Sequence, residues 1–165
     1  MKQLWAPWRM AYVSGAERTP DGCFICAAID GADPEATRYV VELAERTIVL
    51  LNRYPYSPGH LMIAPRRHLA DLAEMSADEG KALFVTTQRA LTALREASQP
   101  GGFNIGLNLG GPAGASVDHL HLHVVPRWGG DTNFMPVIGD VKVLPEHLDT
   151  TAARLREVYA GLPAP

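Results

Sequence analysis

The sequence predicts an α+β fold in which a five-stranded antiparallel sheet is covered by one long helix and one or two short helices. Short strand-like segments follow one another through tight turns, and one long amphipathic segment stands among them. The segments lack the regular strand–helix alternation that is typical of a parallel sheet. The length of 165 residues and the hydrophobic content of 47% fit a single domain over 1–165.

Five segments predict the strands, through β-rich composition or alternating polarity. A short polar turn at 44–46 joins the first two into a hairpin, and a turn cluster with two prolines at 53–59 precedes the third. A glycine-rich loop at 110–114 leads into the last strand. The predicted strands are 39–42, 47–52, 60–65, 103–108 and 118–127.

The helices are predicted from their end signals and their apolar faces. Ser76, which two acidic residues follow closely, is typical of a helix N-terminus and begins an amphipathic segment that ends near Ser98. A short helical stretch follows Cys26, and a C-terminal helix is expected from about 145 to 161. The chain is thereby divided into an aromatic-rich N-terminal arm, a core, and a C-terminal loop with its helix, at 1–20, 39–128 and 129–165.

The composition excludes several broad classes of protein. The net charge of −3 favours no general affinity for nucleic acid, so no nucleic-acid partner is expected. No apolar run approaches the roughly 20 residues that span a membrane, and the first residues do not resemble a signal peptide. The expected location is the cytoplasm, where two cysteines are more often metal ligands or redox groups than a disulfide.

The most informative segment places three histidines at alternate positions. His119, His121 and His123 are separated by apolar residues, and this period of two predicts one strand face carrying all three imidazoles. A half-buried strand surface explains one histidine better than three. The other interpretations are three ligands of a catalytic zinc ion, or phosphate chemistry in which one neutral imidazole attacks phosphorus.

Two further motifs carry possible chemistry. Cys23 and Cys26 form a Cys-x-x-Cys pair, which with His68 and one histidine of the alternating segment would make a tetrahedral zinc site. The alternative is two buried free thiols. The glycine-rich loop at 110–116 could cradle phosphates with its backbone N–H groups, or could simply turn one strand into the next. Ser116 in this loop could donate to a phosphate oxygen or cap the turn.

Together these motifs resemble the histidine triad (HIT) superfamily of nucleotidyl hydrolases and transferases. The run 119–125 matches its His-x-His-x-His-x-x signature, in which x is apolar. The segment 51–65 resembles the nucleotide-binding hairpin of the family, and Asn108 stands eleven residues before His119, as a family asparagine does. The segments 4–9 and 126–134 resemble the bacterial diadenosine tetraphosphate phosphorylases of this superfamily.

The resemblance implies a HIT-like fold and separate roles for the histidines. It implies that His121 attacks the α-phosphorus of a nucleotide to form a covalent nucleotidyl-histidine intermediate, while His123 and His60 bind phosphate oxygens or the leaving group. It also implies a structural Zn²⁺ site, which would give His119 a structural role. The implied zinc ligands are Cys23, Cys26, His68 and His119.

The resemblance also implies how the substrate is bound and what the substrate is. Asn52 would hold the ribose hydroxyls, Leu51 and Ile48 would flank the base, and neutral donors would contact the phosphates. Those donors are Asn108, Ser116 and the loop containing Gly114. The implied substrate is a nucleotide or dinucleoside polyphosphate, with inorganic phosphate as acceptor in a phosphorylase and water in a hydrolase. The implied assembly is a homodimer that joins two sheets edge to edge.

Three other functions stay open on the sequence alone. One is a nucleoside phosphoramidate hydrolase, another is a nucleotide-binding regulatory protein with little turnover, and the last is catalytic zinc on all three alternating histidines. One departure from the family pattern bears on the acceptor. Many members carry Gln where this chain has Ala115, and the smaller side chain leaves room for an incoming phosphate.

Overall fold

The computed structural model describes residues 22–131 and 146–163, which contain five strands and four α-helices. The strands are β1 (Val40–Leu43), β2 (Thr47–Leu51), β3 (Leu61–Pro65), β4 (Gly102–Leu107) and β5 (Leu122–Arg127). The helices are α1 (Phe24–Asp30), α2 (Pro34–Thr37), α3 (Ala77–Ser98) and α4 (Leu148–Gly161). Short 3₁₀ turns lie at Leu72–Glu74 and Gly111–Ala113.

The strands form one sheet in the order β1-β2-β3-β5-β4, and every neighbouring pair is antiparallel. Helix α3 carries the chain from β3 to the far edge, where β4 then pairs back with β5. The predicted α+β fold with a five-stranded antiparallel sheet is therefore confirmed.

Side chains alternate along the strands and separate two hydrophobic cores on the two faces of the sheet. The larger core lies between the sheet and helices α3 and α4, and its strand residues include Val49, Leu51, Ile63, Leu122 and Val124. The smaller core lies under α1 and contains Ile48, Leu50, Met62 and Ala64. His123 is paired with Met62 across β5 and β3, so its side chain lies on the α1 face.

Helix α3 begins with the predicted cap. Ser76 accepts a hydrogen bond from the Glu79 N–H, and the Glu79 carboxylate accepts from the Ser76 N–H, which together form a capping box. The helix ends at Gln99, which adopts a left-handed conformation with φ +48° before Pro100.

Helix α4 lies against β1, which is the edge strand opposite β4. Asp149 accepts two hydrogen bonds from the Arg38 guanidinium, at 2.8 and 2.6 Å. Arg156 donates from Nε to the Val40 carbonyl oxygen at 2.8 Å, so this helix covers part of the β1 edge.

Two predicted boundaries differ from the structure. Strand β5 begins at Leu122 and not at residue 118, because the Leu120 N–H donates to the Leu69 carbonyl at 2.7 Å outside the β3 ladder. Only His123 of the three alternating histidines therefore lies within a regular strand. Helix α4 begins at Leu148, whereas its start was predicted near 145.

The predicted arm at 1–20 and most of the predicted loop after residue 128 lie outside the described residues. Within the residues that are described, no helix combines the length and the apolar character needed to cross a bilayer.

Candidate active site and metal centre

Four potential metal ligands meet beside the start of α1. Cys23 is the N-cap of this helix and Cys26 lies in its first turn, while His68 follows β3 and His119 precedes β5. One ligand atom from each of the four residues lies within 4.8 Å of all the others. The fold thus brings together the four residues that the sequence resemblance implied as zinc ligands, although they are separated by up to 96 positions in the chain.

The distances within this cluster suit a tetrahedral metal site. Cys23 Sγ lies 3.2 Å and Cys26 Sγ lies 3.5 Å from His119 Nδ1, and Cys26 Sγ lies 3.3 Å from His68 Nδ1. Metal bonds of about 2.0–2.3 Å in a tetrahedron place neighbouring ligand atoms roughly 3.3–3.8 Å apart. Two thiols and two imidazoles at these separations can hold one metal ion.

The ring of His119 carries its proton on the nitrogen that faces away from the thiols. Its Nε2 lies 2.9 Å from the Pro65 carbonyl oxygen, and a carbonyl can only accept, so Nε2–H is the donor. Burial lowers the pKa of His119, which favours the neutral ring. The unprotonated Nδ1 therefore faces Cys23 and Cys26, which is the arrangement that a metal ion requires.

The two thiols also favour a cation. Burial and the neighbouring Cys23 thiol raise the pKa of Cys26 to about 11, since a second negative charge beside the first is costly. A bound metal ion removes this penalty because thiolates are the form that coordinates it. Both cysteines are only half-buried and both face imidazoles, so the geometry favours a metal-holding group over two buried free thiols.

His121 is held with the opposite ring nitrogen protonated. Its Nδ1–H donates to the main-chain carbonyl oxygen of His119 at 2.7 Å, which leaves Nε2 as the unprotonated nitrogen of the neutral ring. Burial lowers the pKa of His121, so the ring is neutral at pH 7. A neutral imidazole in a fixed orientation with one unprotonated nitrogen is a competent nucleophile.

A chain of hydrogen bonds orients His123 beside His121. The Tyr56 N–H donates to His60 Nδ1 at 3.1 Å, so the proton of neutral His60 is on Nε2, which donates to His123 Nδ1 at 3.0 Å. The proton of neutral His123 is therefore on Nε2. The rings of His121 and His123 meet edge to face, with 4.7 Å between their centroids.

The buried position of His60 changes its expected role. The side chain is 0% exposed, and its two ring nitrogens bond to the Tyr56 main chain and to His123. The structure therefore corrects the expectation that His60 contacts phosphate directly, because it lies behind His123. Its position suits orienting His123 and fixing which nitrogen of that ring carries the proton.

Asn108 lies beside the protonated nitrogen of His123. Its Nδ2 is 3.4 Å from His123 Nε2 and 3.5 Å from the carbonyl oxygen of Gly114, which orients the amide group. Two N–H donors cannot bond to each other, and each is of the kind that can donate to an anionic oxygen such as that of a phosphate. Gly114 has φ +94°, a conformation that favours glycine. Ser116 lies two residues further along the same exposed loop.

The residues predicted to bind the nucleoside are divided between the two faces of the sheet. Asn52 follows β2, is half-buried, and accepts a hydrogen bond from the Tyr54 N–H at 2.8 Å. Ile48 lies on the α1 face but is enclosed in the smaller core. Leu51 packs against α3 on the other face. The structure therefore corrects the expectation for Leu51, since a strand turns residues three apart to opposite faces.

Two residues near the histidines were missed by the sequence analysis. Leu50 is paired with Met62, which is paired with His123, so Leu50 is the β2 residue nearest to the site on its own face. Counting by twos from Ile48 would have found it. Tyr56 acts on His60 through its main-chain N–H and its ring, which stacks on the imidazole with centroids 4.8 Å apart. A main-chain donor has no signal in the sequence.

Comparison with known proteins places this geometry in a family. Residues 33–130 match the HIT domain. The chain is 40% identical to the AP-4-A phosphorylase of Mycobacterium tuberculosis over 169 aligned positions, which cover 99% of this chain and 87% of that protein. It is 30% identical over 99 positions to the bifunctional bis(5'-adenosyl)-triphosphatase/adenylylsulfatase FHIT of Arabidopsis thaliana, which covers 60% of this chain and 53% of that protein.

A solved structure has the same fold over most of the chain. The Zn-bound histidine triad family protein from Mycobacterium smegmatis superposes with a TM-score of 0.70 at 28% identity, covering 85% of this chain and 94% of that one. The chain belongs to the HIT family, because residues 33–130 match its domain and a relative is 40% identical over 99% of this chain.

Proposed function

We propose that the protein is a nucleotidyl transferase that cleaves dinucleoside polyphosphates through a covalent nucleotide–His121 intermediate, and that it acts as a diadenosine tetraphosphate phosphorylase. One observation carries the proposal. The Nδ1–H of His121 is held by the His119 carbonyl at 2.7 Å, which leaves Nε2 unprotonated on a ring that meets the His123 ring with 4.7 Å between centroids. The 40% identity to an AP-4-A phosphorylase over 99% of this chain supports the substrate class.

The reaction takes place in two steps, and inorganic phosphate is the only reactant that it needs besides diadenosine tetraphosphate. His121 Nε2 attacks one α-phosphorus of diadenosine tetraphosphate, so that an N–P bond forms while the anhydride P–O bond breaks and ATP leaves. An oxygen of inorganic phosphate then attacks the same phosphorus, breaks the N–P bond and gives ADP. During both steps His121 keeps the proton on Nδ1, where the His119 carbonyl stabilises the positive charge that develops on the ring.

Each neighbouring residue acts on the developing charge or on the geometry. His123 Nε2–H and Asn108 donate to the oxygens of the transferred phosphoryl group, and His60 holds His123 in this orientation. Asn52 binds the ribose hydroxyls. Gly114 and Ser116 border the path of the polyphosphate.

The acceptor decides between two reactions of the same site. Phosphate gives ATP and ADP, whereas water gives ATP and AMP. Ala115, which is half-buried and whose N–H donates to the Gly110 carbonyl at 3.2 Å, supports phosphate as acceptor because its short side chain leaves space beside the loop. The name of the Arabidopsis relative, a triphosphatase, favours hydrolysis as the second candidate.

Product analysis tests the proposal. Purified protein is incubated with diadenosine tetraphosphate, with and without inorganic phosphate, and the nucleotides are separated by ion-exchange chromatography. We expect ADP and ATP in equal amounts, with strong dependence on phosphate. AMP and ATP at the same rate in both samples would instead make the protein a hydrolase. A His147→Ala variant, which removes an exposed histidine at the start of α4, serves as the matched control for His121→Ala.

We further propose that the metal is Zn²⁺, held by Cys23, Cys26, His68 and His119. A Cys₂His₂ donor set with tetrahedral spacing suits zinc, and the structural neighbour from Mycobacterium smegmatis is a Zn-bound protein. When bound, zinc supplies a cross-link between α1 and the ends of β3 and β5, with no open position for substrate. Elemental analysis of protein purified without added metal should find about one zinc per chain, and a stoichiometry near zero would reject this assignment.

We also propose that the protein is a cytoplasmic homodimer and that it has no nucleic-acid partner. The β4 strand is an edge of the sheet, and its Ile105 is 46% exposed on the α3 face, whereas Arg156 covers part of the β1 edge. Light scattering of the purified protein should give twice the chain mass, and Ile105→Lys should give the mass of a monomer. An unchanged mass in Ile105→Lys would place the interface elsewhere.

A further inference from the structure

We propose that His119 is a positioning residue for the reaction, because its side chain holds the metal while its main-chain carbonyl holds the nucleophile. Occupancy of the metal site then sets the orientation of His121, and the metal does more than stabilise the fold. This inference rests on the proposed function, in which His121 attacks phosphorus.

The side chain of His119 is bound from both ring nitrogens. Its Nδ1 faces the sulfurs of Cys23 and Cys26 at 3.2 and 3.5 Å, and its Nε2–H donates to the Pro65 carbonyl at 2.9 Å. The residue is 1% exposed. A metal ion at the thiols therefore completes a fixed position for this ring and for the Cα atom that carries it.

The main chain of the same residue continues directly to the nucleophile. The His119 carbonyl oxygen accepts the Nδ1–H of His121 at 2.7 Å, which is shorter than the 2.9 Å bond from His119 Nε2 to the Pro65 carbonyl. A rotation of the peptide unit after His119 would move this oxygen and would turn the His121 ring with it. Regular β-pairing does not restrain this peptide, since β5 begins only at Leu122.

A second connection links the two metal-binding segments beside the nucleophile. Leu69 follows His68, Leu120 follows His119, and the Leu120 N–H donates to the Leu69 carbonyl at 2.7 Å. Both leucines are buried. A metal ion bound by His68 and His119 would join the same two segments a second time. The segment between His119 and His121 is then held by the metal at His119 and by the hydrogen bond to Leu69 at Leu120.

Removing the metal should therefore lower the rate of adduct formation more than it lowers the affinity for nucleotide. Displacing a reacting group by about 1 Å can cost on the order of 10²-fold in rate, and outer contacts of a metal site typically contribute about 10- to 100-fold. We expect metal removal to slow formation of the nucleotide–His121 adduct by about tenfold or more. The affinity for AMP should change little, because the residues proposed to bind it do not bind the metal.

The experiment compares the full-length protein before and after removal of the metal by a chelator, and after zinc is returned. Three quantities are measured in each state: the rate of adduct formation in rapid-quench mixing with diadenosine tetraphosphate, the dissociation constant for AMP, and the NMR signal of the His121 Nδ1–H proton. Leu155→Ala, which weakens the core between the sheet and α4, is the control for reduced stability alone.

A second variant keeps the test decisive if the metal-free protein unfolds. His119→Cys replaces the imidazole by a thiol, which can complete a Cys₃His site, and keeps the main-chain carbonyl. With zinc bound, this variant should form the adduct within about tenfold of the wild-type rate. A rate as low as that of His121→Ala in the zinc-loaded variant would mean that metal occupancy does not set the position of His121, and it would overturn the proposal.

The measured rate and ring signal test separately whether the metal positions His121 and whether His121 attacks phosphorus. A slower adduct rate, an unchanged affinity for AMP and a lost or shifted His121 ring signal, all reversed by zinc, support the inference. A folded metal-free protein with an unchanged rate and ring signal overturns it, as does an equal loss of rate in Leu155→Ala. If the zinc-loaded wild type forms no adduct, the proposed function fails, while the ring signal still decides whether the metal positions His121.

Discussion

His119 and His121 stand two residues apart, and their rings carry the proton on different nitrogens. Each ring donates one N–H to a main-chain carbonyl, of Pro65 for His119 and of His119 itself for His121. The donor is Nε2 in the first ring and Nδ1 in the second, so the unprotonated nitrogens are Nδ1 and Nε2 respectively. The first faces two thiols and suits a metal ion, and the second belongs to a ring that meets the His123 ring and suits the proposed attack on phosphorus.

The comparison shows that carbonyl partners and not residue type assign the roles. Burial lowers the pKa of both rings, so both are neutral and both have one nitrogen able to form a bond. The nitrogen that stays unprotonated in each ring is set by the carbonyl oxygens of Pro65 in β3 and His119 before β5. The thiols at α1 face this nitrogen in His119. Variants at His121 or His123 should therefore leave the metal site intact, whereas variants of the metal ligands should reach His121 only through the His119 carbonyl.

The largest expected effect is that of His121→Ala on turnover. Removing the proposed nucleophile should lower kcat by about 10⁴-fold or more, because the covalent intermediate is then not formed. Zinc content and the melting temperature should stay near the wild-type values, as measured by elemental analysis and calorimetry. A variant that keeps more than a tenth of the wild-type kcat would show that the intermediate is not formed on this residue.

The next effect concerns stability at the metal end. Cys23→Ser should abolish zinc binding, and a ligand present at about 1,000 times its dissociation constant contributes roughly 4 kcal/mol to the free energy of unfolding. We expect a loss of this order in urea denaturation of the zinc-loaded protein. Without zinc, wild type and variant should unfold at similar urea concentrations, and a large difference between the metal-free forms would mean that the thiol stabilises the fold on its own.

An intermediate effect is expected for His60→Ala at the catalytic end. Loss of the bond to His123 Nδ1 frees that ring to change its protonated nitrogen, which should lower kcat by about 10²-fold with zinc content unchanged. His60→Gln, whose amide can donate at the same place, should recover part of this loss. Equal rates for the two variants would argue that His60 acts in some other way than through His123.

The smallest effect is expected for Asn108→Ala. One neutral donor beside His123 contributes about 1 kcal/mol, which corresponds to roughly a fivefold change in kcat/KM. Steady-state kinetics with diadenosine tetraphosphate would measure it, with Asn104→Ala in the preceding strand β4 as the control. A loss greater than that of His60→Ala would place Asn108 and not His123 as the main phosphate donor.

The sequence predicted the fold because this depends on local patterns, and the family resemblance supplied the four residues of the metal cluster. Alternation along the strands, the cap at Ser76 and the family signature at 119–125 are all visible in the chain itself. The structure brings Cys23, Cys26, His68 and His119 together as the resemblance implied. The start of β5 was misplaced, since Leu120 pairs with Leu69 instead of continuing a strand ladder.

What the sequence could not predict depends on contacts between distant parts of the chain. The position of His60 behind His123 depends on the Tyr56 N–H, and a main-chain donor leaves no mark on composition or spacing. The expectation that Leu51 flanks the base failed because the face of β2 on which each side chain lies is set by pairing with β3 and β5. The proposed roles of His119 and His121 depend likewise on the main-chain carbonyl to which each ring donates its N–H.

The most direct test of the account is to locate the covalent adduct. The zinc-loaded protein is mixed rapidly with diadenosine tetraphosphate in the absence of inorganic phosphate, quenched in alkali to preserve the N–P bond, digested and analysed by tandem mass spectrometry. The account predicts an adenylyl group on His121, with His119 and His123 unmodified. An adduct on His123 or His119, or turnover with no adduct on any histidine, would contradict it.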